Sequence, residues 1–457
     1  MDQNGTARGV GVVAGVGWAA YLASSWTWCI GMFLPVLLVR DFGAAGLWAF
    51  VAFAVPNVVG AAALGWTVSS PASARRLLTE HWFMVRAFGA VTVAYQAFFA
   101  AWLGLCATSA VGGSGLGGLA WFAPLGAMLV VSVLPGMGGG GGGVESGGVA
   151  VRQRAFLVVS VLVTLLSLAV LAWAAVGHGV GGVGGVLGGG VGGEEVTNGG
   201  MSGGVRPSGE LLPLVAICML GFGLCPYLDA TFLRARVEAA ERSPLAFGLG
   251  FGWLFAAMIV GTLVLAPVLM PLARGLPPSL SGWSSAGSGP SWALVLGLHV
   301  CVQLLFTARV HSMELACDAA TPDGRGLLRG LVAPAAVIVG GLLAGWAWVQ
   351  GPSIEAIAGG GLRAGEVVYR LLLGAYGLVF PAYVLICVWP VRLPNGVRVT
   401  GPTRSRVVWL IAACALAMPA MWAGFIHLRM WWLLAGVAIV LAAAVGARRG
   451  VRRGAGF

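Results

Sequence analysis

The sequence predicts an all-α integral membrane protein with about twelve transmembrane helices. Of its 457 residues, 59% are hydrophobic and 9% are charged, whereas soluble domains are about 45–50% apolar and about 25% charged. The mean hydropathy is +0.93. Stretches of about 20 apolar residues, the length that crosses a bilayer as a helix, recur along the chain. We therefore expect a single polytopic membrane domain over residues 1–457.

Twelve apolar stretches are candidates for these helices. The first is too long for a straight crossing, which predicts a tilted or interrupted helix. The connections 178–209 and 273–290 are glycine-rich and predict flexible linkers. The candidates are 11–39, 47–68, 84–107, 119–137, 155–177, 211–233, 245–272, 291–315, 328–349, 367–389, 407–425 and 431–447.

The basic residues predict the orientation of the chain. All 26 are arginine, and those near helix ends divide eighteen to five between the two sets of alternating loops. The side with more arginine is expected to be cytoplasmic, which places both termini in the cytoplasm and the protein in the cell (inner) membrane. This topology also explains the net charge of +11, so we expect a lipid bilayer and no nucleic acid as partner.

No cofactor, metal site or enzyme is predicted. The eight cysteines lie mostly within apolar stretches and form no C-x-x-C pair, which indicates small buried residues. His299 and His311 are too far apart on one predicted helix to bind the same metal ion. Phosphate-binding loops and nucleophile–base pairs are likewise missing from the sequence.

Two predicted helices are interrupted. The segment Gly221–Asp229 places two glycines, a proline and a carboxylate within the helix 211–233, and the segment Gly31–Pro35 interrupts the first helix in a similar way. Irregular backbone survives at membrane depth only inside protein or beside a water-filled cavity. Interrupted helices at corresponding places in two halves of a chain predict the binding site of a transporter.

A weak internal repeat divides the chain. The pattern Val-x-x-Gln-x-x-Phe occurs at Val93–Phe99 in the third predicted helix and at Val300–Phe306 in the eighth. Each half has five helices, so the two halves enter the membrane from opposite sides and the repeat is inverted. We expect a first repeat over 11–177, a second over 211–390, and two additional helices over 407–447.

The junction of the first two helices supports this interpretation. It consists of the glycine-rich segment Arg40–Phe50, followed by Pro56 and Asn57. The layout resembles the LeuT-type fold of the sodium–solute symporter and amino acid–polyamine–cation families, in which helices 1 and 6 are broken at the substrate. The resemblance covers 11–390. It implies a secondary active transporter, a permease or symporter, that moves a small organic solute across the cell membrane by alternating access.

The expected substrate site surrounds the interruptions. Asp229 is the main candidate, as partner of an amine or cation or as a proton carrier, although an interfacial ion pair with Arg234 or Arg236 also explains it. Interhelical hydrogen bonding and ordinary packing are the alternatives for the other residues. The candidates are Trp26, Thr27, Trp28, Gly31, Tyr95, Gln96, Gly223, Tyr227, Asp229, Thr231 and Gln303.

Ion coupling stays open between Na⁺, H⁺ and none. In sodium-dependent relatives, helix 8 and the break in helix 1 hold an ion, and the resemblance places that position near Thr307 and Arg309. A guanidinium is always protonated and has five donors. Arg309 therefore either replaces the ion at the carbonyls of helix 1 or pairs with Glu314 or Asp318. Arg370 is interpreted as an interfacial anchor.

Three other functions stay open. A major-facilitator carrier has the same helix count, but the loop Ser69–Glu80 lacks the Gly-Asp element of that family. A membrane-embedded enzyme such as an acyltransferase would use His299 or His311. A sensor would need a soluble signalling domain, and none is expected in these residues. A small amine, amino acid, nucleobase or sugar would fit the sparse charge as a solute.

Overall fold

The fold is built almost entirely from helices. The computed structural model describes residues 3–25, 33–42, 68, 70–110, 122–134, 146–177, 208–258, 292–317, 330–359, 361–392 and 398–454. The α-helices in these ranges are α1 (Gln3–Ser24), α2 (Leu34–Phe42), α3 (Pro71–Glu80), α4 (Trp82–Ala110), α5 (Ala123–Val133), α6 (Ser146–Gly177), α7 (Leu211–Leu224), α8 (Ala230–Glu238), α9 (Ser243–Leu249), α10 (Trp292–Cys317), α11 (Val332–Val349), α12 (Gly351–Ile357), α13 (Ala364–Gly374), α14 (Phe380–Tyr383), α15 (Arg404–Phe425) and α16 (Trp432–Gly454).

Shorter elements join these helices. Short 3-10 helices cover Ser208–Glu210, Cys225–Leu228 and Ala240–Arg242. π-helical turns cover Gly250–Phe255, Ala375–Val379 and Val384–Val388. Two strands, β1 (Val391–Arg392) and β2 (Arg398–Val399), form an antiparallel pair in which Val391 lies opposite Val399.

In the part of the chain that the structure describes, six helical stretches are long and apolar enough to cross a membrane. They confirm a multi-pass membrane protein. The total of twelve helices and the two repeats stay predictions, because 47–67 and 259–272 lie outside the described residues. The six stretches are Trp82–Cys106, Leu211–Leu228, Val332–Val349, Ala364–Val388, Arg404–Phe425 and Trp432–Val451.

Helix α6 has its polar side facing the bundle. Ser160, Thr164 and Ser167 are buried, whereas Val158 and Leu162 are 58% and 59% exposed. Residues three or four apart share one face of a helix, so the hydroxyl groups form an inner stripe and the apolar side chains form an outer one. Such a surface suits contact with lipid, and it supplies hydroxyl groups to the interior.

Helices α4 and α11 approach each other most closely at a glycine. A Cβ atom at Gly340 would overlap the carbonyl oxygen of Ala94 and would lie 2.8 Å from the Cβ of Ala97. Small residues at such positions allow the backbones of membrane helices to pack closely. Helix α4, which carries several candidate site residues, is therefore held in place by α11.

Replacing Gly340 by alanine should destabilise this packing by about 1–3 kcal/mol, because the added methyl group meets rigid backbone. Gly345 on the same helix is the matched control, since no atom lies within 4 Å of the position of its Cβ. Thermal unfolding of the purified protein in detergent would compare the two variants. Equal midpoints for Gly340→Ala and Gly345→Ala would contradict the close approach.

The bundle has two ends, which we name after the short helices found there. At the α3 end, the Arg236 Nε donates to the carbonyl of Val68, and Arg86 donates to the carbonyl of Leu315. At the α12 end, the last turn of α2 contacts the first turn of α13 through Arg40 and Glu366. Helices α4 and α13 run between these ends in opposite directions.

The predicted interruption of the helix 211–233 is confirmed. Helix α7 ends at Leu224, and the 3-10 turn that follows contains Pro226. Asp229 then has extended backbone, with φ −80° and ψ 110°, before α8 begins. Proline lacks the N–H group that an α-helix needs. The α-helical hydrogen bonding therefore stops at the end of α7 and resumes where α8 begins, at Ala230.

The first helix also ends before its predicted interruption. Helix α1 ends at Ser24, and α2 begins at Leu34. The residues 26–32 lie outside the described part of the chain, and with them four predicted site residues: Trp26, Thr27, Trp28 and Gly31. Whether the segments Gly31–Pro35 and Gly223–Asp229 face each other therefore stays a prediction.

Candidate functional site

The Asp229 carboxylate is fully buried at the junction of the 3-10 turn and α8. Its Oδ1 accepts hydrogen bonds from the backbone N–H of Thr231 (2.8 Å) and from the hydroxyl of Thr231 (2.6 Å). This is an N-cap, in which the positive end of the helix dipole also stabilises the negative charge. Thr231 thus holds the buried carboxylate of Asp229 at the break, and both residues belong to the predicted site.

The arginines near Asp229 in sequence bind other groups. Arg234 forms an ion pair with Glu314 of α10, with 2.5 Å between Nε and Oε1. Arg236 donates to the carbonyls of Val68 and Ala240. Asp229 is buried at the start of α8, and its alternative interpretation as an interfacial ion-pair partner stays open.

His311 on α10 lies next to this carboxylate. Its imidazole is fully buried, within electrostatic range of Asp229, and lies against the backbone of Ser25 at the end of α1. Phe88 of α4 covers another side of the ring, with 6.5 Å between ring centroids. The two broken segments of the chain therefore meet at this histidine.

A cluster of hydroxyl groups holds the end of α1. The Ser24 and Thr164 hydroxyl oxygens are 2.9 Å apart, and the Thr164 hydroxyl also donates to the carbonyl of Ala20 (3.2 Å). The Thr307 hydroxyl donates to the carbonyl of Ser24 (3.3 Å). The last carbonyls of a helix have no partner within it. Here, Thr307 of α10 supplies such a partner to the Ser24 carbonyl, and Thr164 of α6 contacts the Ser24 side chain beside it.

Gln303 lies one turn before Thr307 on α10 and extends the polar face of that helix. It is fully buried, and its amide nitrogen donates to the hydroxyl of Ser167 on α6. Gln303 is thus part of the interface between α6 and α10. Its predicted role in solute binding stays a prediction.

A cavity of about 70 Å³ opens at the α3 end and reaches this region. It is lined by Ala230 and His311, which lie near the Asp229 junction, and by charged side chains that include those of Arg86, Arg234 and Glu314. Solvent at the α3 end therefore has a route toward the break between α7 and α8.

Aromatic side chains close the region between the break and the α12 end. Tyr95 of α4 packs on Tyr369 and Tyr376, with ring centroids 5.4 Å and 6.0 Å apart. The Tyr376 hydroxyl is 2.7 Å from the Thr92 hydroxyl. A Cβ at Gly221 would lie 2.7 Å from the carbonyl oxygen of Tyr376, so α7 packs directly against the π-helical turn.

A second aromatic layer lies closer to the α12 end. Phe33, next to the start of α2, packs edge-on against Phe99, Trp102 and Tyr369, with centroid distances of 5.1, 5.6 and 5.4 Å. All four side chains are buried. This layer connects α2, α4 and α13 across the centre of the bundle.

Four charged residues cover the aromatic layers at the α12 end, and we call them the charge network: Arg40, Asp41, Glu366 and Arg370. The guanidinium of Arg40 donates to both carboxylate oxygens of Glu366, each at 2.7 Å. Arg370 donates to Glu366 (2.7 Å) and to Asp41 (3.0 Å). Burial opposes ionisation of Asp41, but Arg370 and Arg40 hold the pKa of that carboxyl below its ordinary value. The interpretation of Arg370 as an interfacial anchor is therefore wrong.

The structure places the other predicted residues around these layers. Gln96 is buried on α4. Tyr227 is half-buried in the 3-10 turn, and Gly223 lies on the last turn of α7, with no atom within 4 Å of the position of its Cβ. The sequence analysis missed Tyr376 and the charge network. The sequence did contain a signal for the charge network. Glu366 and Arg370 form an i,i+4 pair, and the predicted topology places this pair on the same side of the membrane as Arg40 and Asp41.

Arg309 contacts a different helix from the one expected. Its guanidinium donates to the carbonyls of Val131 (3.0 Å) and Leu134 (2.9 Å) at the end of α5. Of the two predicted ion-site residues, Thr307 and Arg309, it is Thr307 whose side chain contacts α1. Glu314, its alternative partner, binds Arg234. The geometry therefore does not support Arg309 as a substitute for an ion at the carbonyls of α1.

Comparison with known proteins gives the fold. No protein-family model matches the sequence, and no curated protein sequence matches it. A solved structure of a Na⁺-coupled sialic acid symporter, captured in a substrate-bound, outward-open state, is similar with a TM-score of 0.54 and 13% sequence identity. The match covers 95% of this chain and 89% of the symporter. The fold of this chain is therefore similar to that of the symporter.

Proposed function

We propose that this protein is a secondary active transporter that moves a small organic solute across the cell membrane by alternating access. The observation that carries the proposal is the junction at Asp229, where an interrupted helix, the end of α1 and the polar face of α10 meet inside the bundle. Helix ends at such junctions present backbone donors and carbonyls to a solute or ion. The similarity in fold to a symporter supports this reading over a major-facilitator carrier or a membrane-embedded enzyme.

The position of the cavity at one end of the bundle, and of the aromatic layers and the charge network at the other end, supports an inward-facing state. The α3 end carries the arginine-rich loops and is therefore assigned to the cytoplasm. The cavity beside Asp229 opens to that end, whereas aromatic layers and the charge network separate Asp229 from the other end. In this proposal the charge network is the outer closure, and it separates when the protein opens outward.

The solute is expected to be small and to carry little net charge. Among the described residues near the break, Asp229 supplies a buried carboxyl group, and Thr231, Thr307 and Gln303 supply hydroxyl and amide groups. A carboxylate with neutral donors suits an amine or amino acid, and hydroxyl and amide groups suit a sugar or nucleobase. These four classes define the panel to be tested.

Uptake into liposomes tests the proposal. The purified chain would be reconstituted and supplied with labelled amines, amino acids, nucleobases and sugars, each with no gradient, with a Na⁺ gradient or with a pH gradient. We expect saturable uptake of one class, inhibited by its unlabelled members. Uptake no faster than in protein-free liposomes for all classes, or uptake that rises linearly without saturation, would overturn the transport proposal.

A further inference from the structure

The last part of the chain forms a strongly basic surface at the α3 end. Eight arginines lie in the segments 391–406 and 448–453, and no acidic residue follows Glu366 in the sequence. These segments contain the β1–β2 pair, the start of α15 and the end of α16. Among the described elements packed closely against α15 and α16, the carboxylate is that of Glu366, which belongs to the charge network at the opposite end. The chain itself therefore supplies little negative charge to balance this surface, which we call the arginine patch.

The fold brings these arginines close to one another. In the β1–β2 pair, Arg392 lies opposite Arg398 in the register, and β1 packs against α16. Like charges at opposite positions of paired strands are destabilising. Helix α16 repeats the pattern, because it continues to Gly454 and places Arg452 one turn beyond Arg448, and like charges four residues apart on a helix also repel. Both arrangements cost stability unless an anion lies at the patch.

Arg406 and Arg448 add charge beneath this surface. The Arg406 guanidinium is fully buried and donates to the carbonyls of Cys387 (3.0 Å) and Gly401 (3.1 Å). Arg448 lies within electrostatic range of Arg406, and its guanidinium is 5.2 Å from the centroid of the Trp389 ring. The fold therefore holds two guanidinium groups close together, and a guanidinium is the side-chain group whose donors best match a phosphate.

An exposed apolar stripe continues from the arginine patch toward the middle of both helices. Arg404 is exposed at the start of α15, and Val408, four residues later, is 61% exposed. On α16, Val445 is 47% exposed, and Arg449, four residues later, is exposed as well. Residues four apart share one face of a helix. On both helices, charge and apolar surface therefore follow each other in the same order as the phosphate and the acyl chains of a phospholipid.

We propose that the arginine patch binds the phosphate headgroup of an anionic phospholipid, whose acyl chains lie along the exposed faces of α15 and α16. The α3 end is assigned to the cytoplasm, and cytoplasmic leaflets carry anionic lipids that bind to basic residues beside transmembrane helices. The exposed valines favour a lipid over free phosphate, because a soluble anion makes no use of an apolar surface next to its site. This inference does not depend on the transport of a solute.

Lipid binding to the purified full chain tests the proposal. The probe is phosphatidylglycerol with a fluorescent acyl chain, titrated onto the protein in neutral detergent. Unlabelled phosphatidylcholine is the zwitterionic competitor, and glycerol phosphate is the soluble anionic one. We expect saturable binding of phosphatidylglycerol and little displacement by either competitor. If glycerol phosphate displaced the probe as well as unlabelled phosphatidylglycerol does, the site would bind a soluble anion and the lipid assignment would be overturned.

The double variant Arg404→Gln/Arg449→Gln removes two exposed charges of the patch and leaves the buried Arg406 in place. Each basic residue near an anionic membrane surface contributes a factor of about five to binding, so this variant should bind phosphatidylglycerol about 30-fold more weakly. The matched control is Arg75→Gln/Arg76→Gln on α3, which removes two exposed charges at the same end of the bundle. Equal losses of affinity in the two double variants would indicate a general attraction to that end and would overturn a specific site.

Unfolding midpoints separate lipid binding from a structural role of the same arginines. Phosphatidylglycerol should raise the midpoint of the wild type and of the α3 control, and Arg404→Gln/Arg449→Gln should lose this rise. Without added lipid, that variant should be at least as stable as the wild type, because α16 places Arg449 four residues before Arg453 and the substitution removes their repulsion. A variant that is less stable than the wild type without lipid, and that still gains the full rise from phosphatidylglycerol, would show that these arginines only support the fold.

Discussion

Replacing Glu366 by alanine is expected to destabilise the protein by about 3–5 kcal/mol, because it leaves the buried guanidinium of Arg370 and the half-buried guanidinium of Arg40 without their shared carboxylate. Glu366 is 3% exposed and binds both Arg40 and Arg370. Thermal unfolding in detergent would measure the loss. The control is Arg363→Ala, which removes an exposed pair with Glu355 at 3.6 Å, keeps the hydrogen bond from the N–H of Ala364 to Glu355, and should cost less than about 1 kcal/mol.

Asp41 should make stability depend on pH in the wild type and in Glu366→Ala alike. The pKa of Asp41 is lowered from 3.8 in the folded protein, so its contribution to stability is present above that value and is lost as the pH falls through the lowered one. Both proteins should therefore lose stability in strong acid, because Arg370 and Arg40, which lower this pKa, are present in both. Similar unfolding midpoints for Glu366→Ala and Arg363→Ala would contradict a buried network.

Replacing Asp229 by asparagine should abolish most transport while leaving the fold intact. Asparagine caps a helix about as well as aspartate does, so the hydrogen bond from the N–H of Thr231 is kept and only the charge is lost. Removing one partner of a buried charge pair costs about 2–5 kcal/mol, which corresponds to a fall of about 30-fold or more in uptake. Initial uptake rates in liposomes and unfolding midpoints would both be measured.

Thr231→Val is the matched control for Asp229→Asn. It removes the hydroxyl that donates to Oδ1 at 2.6 Å but keeps the carboxylate and the backbone bond. We expect a much smaller loss of uptake than in Asp229→Asn. If both variants transported at the wild-type rate, the buried carboxylate would be a structural cap and the solute site would lie elsewhere.

The elements that depend on local chemistry were predicted well. The interruption at Pro226 follows from a missing backbone donor and neighbouring glycines, and these are properties of a few adjacent residues. The length of each apolar stretch likewise depends only on residues that are neighbours in the sequence. Both features could therefore be read from the sequence before the helices were packed together.

The positions of side chains around the helix axes were not predictable in the same way. Two residues along an α-helix correspond to a rotation of about 200°, so Thr307 reaches α1 while Arg309 reaches α5. Likewise, the hydroxyl groups that hold α1 come from two helices, Thr164 on α6 and Thr307 on α10. Sequence spacing within one helix cannot reveal a cluster that forms only when three helices meet.

The charge network also sets an order for the assembly of the newly made chain. Arg40 and Glu366 are separated by 326 residues, and ribosomes add about 5–20 residues per second. Arg40 is therefore synthesised about 16–65 s before its partner Glu366. During that interval Arg40 can pair with the adjacent Asp41 (2.7 Å), but the bidentate bond that joins α2 to α13 cannot form. The early helices are thus expected to wait in the membrane as a loosely docked intermediate, which the arrival of α13 converts into the closed bundle.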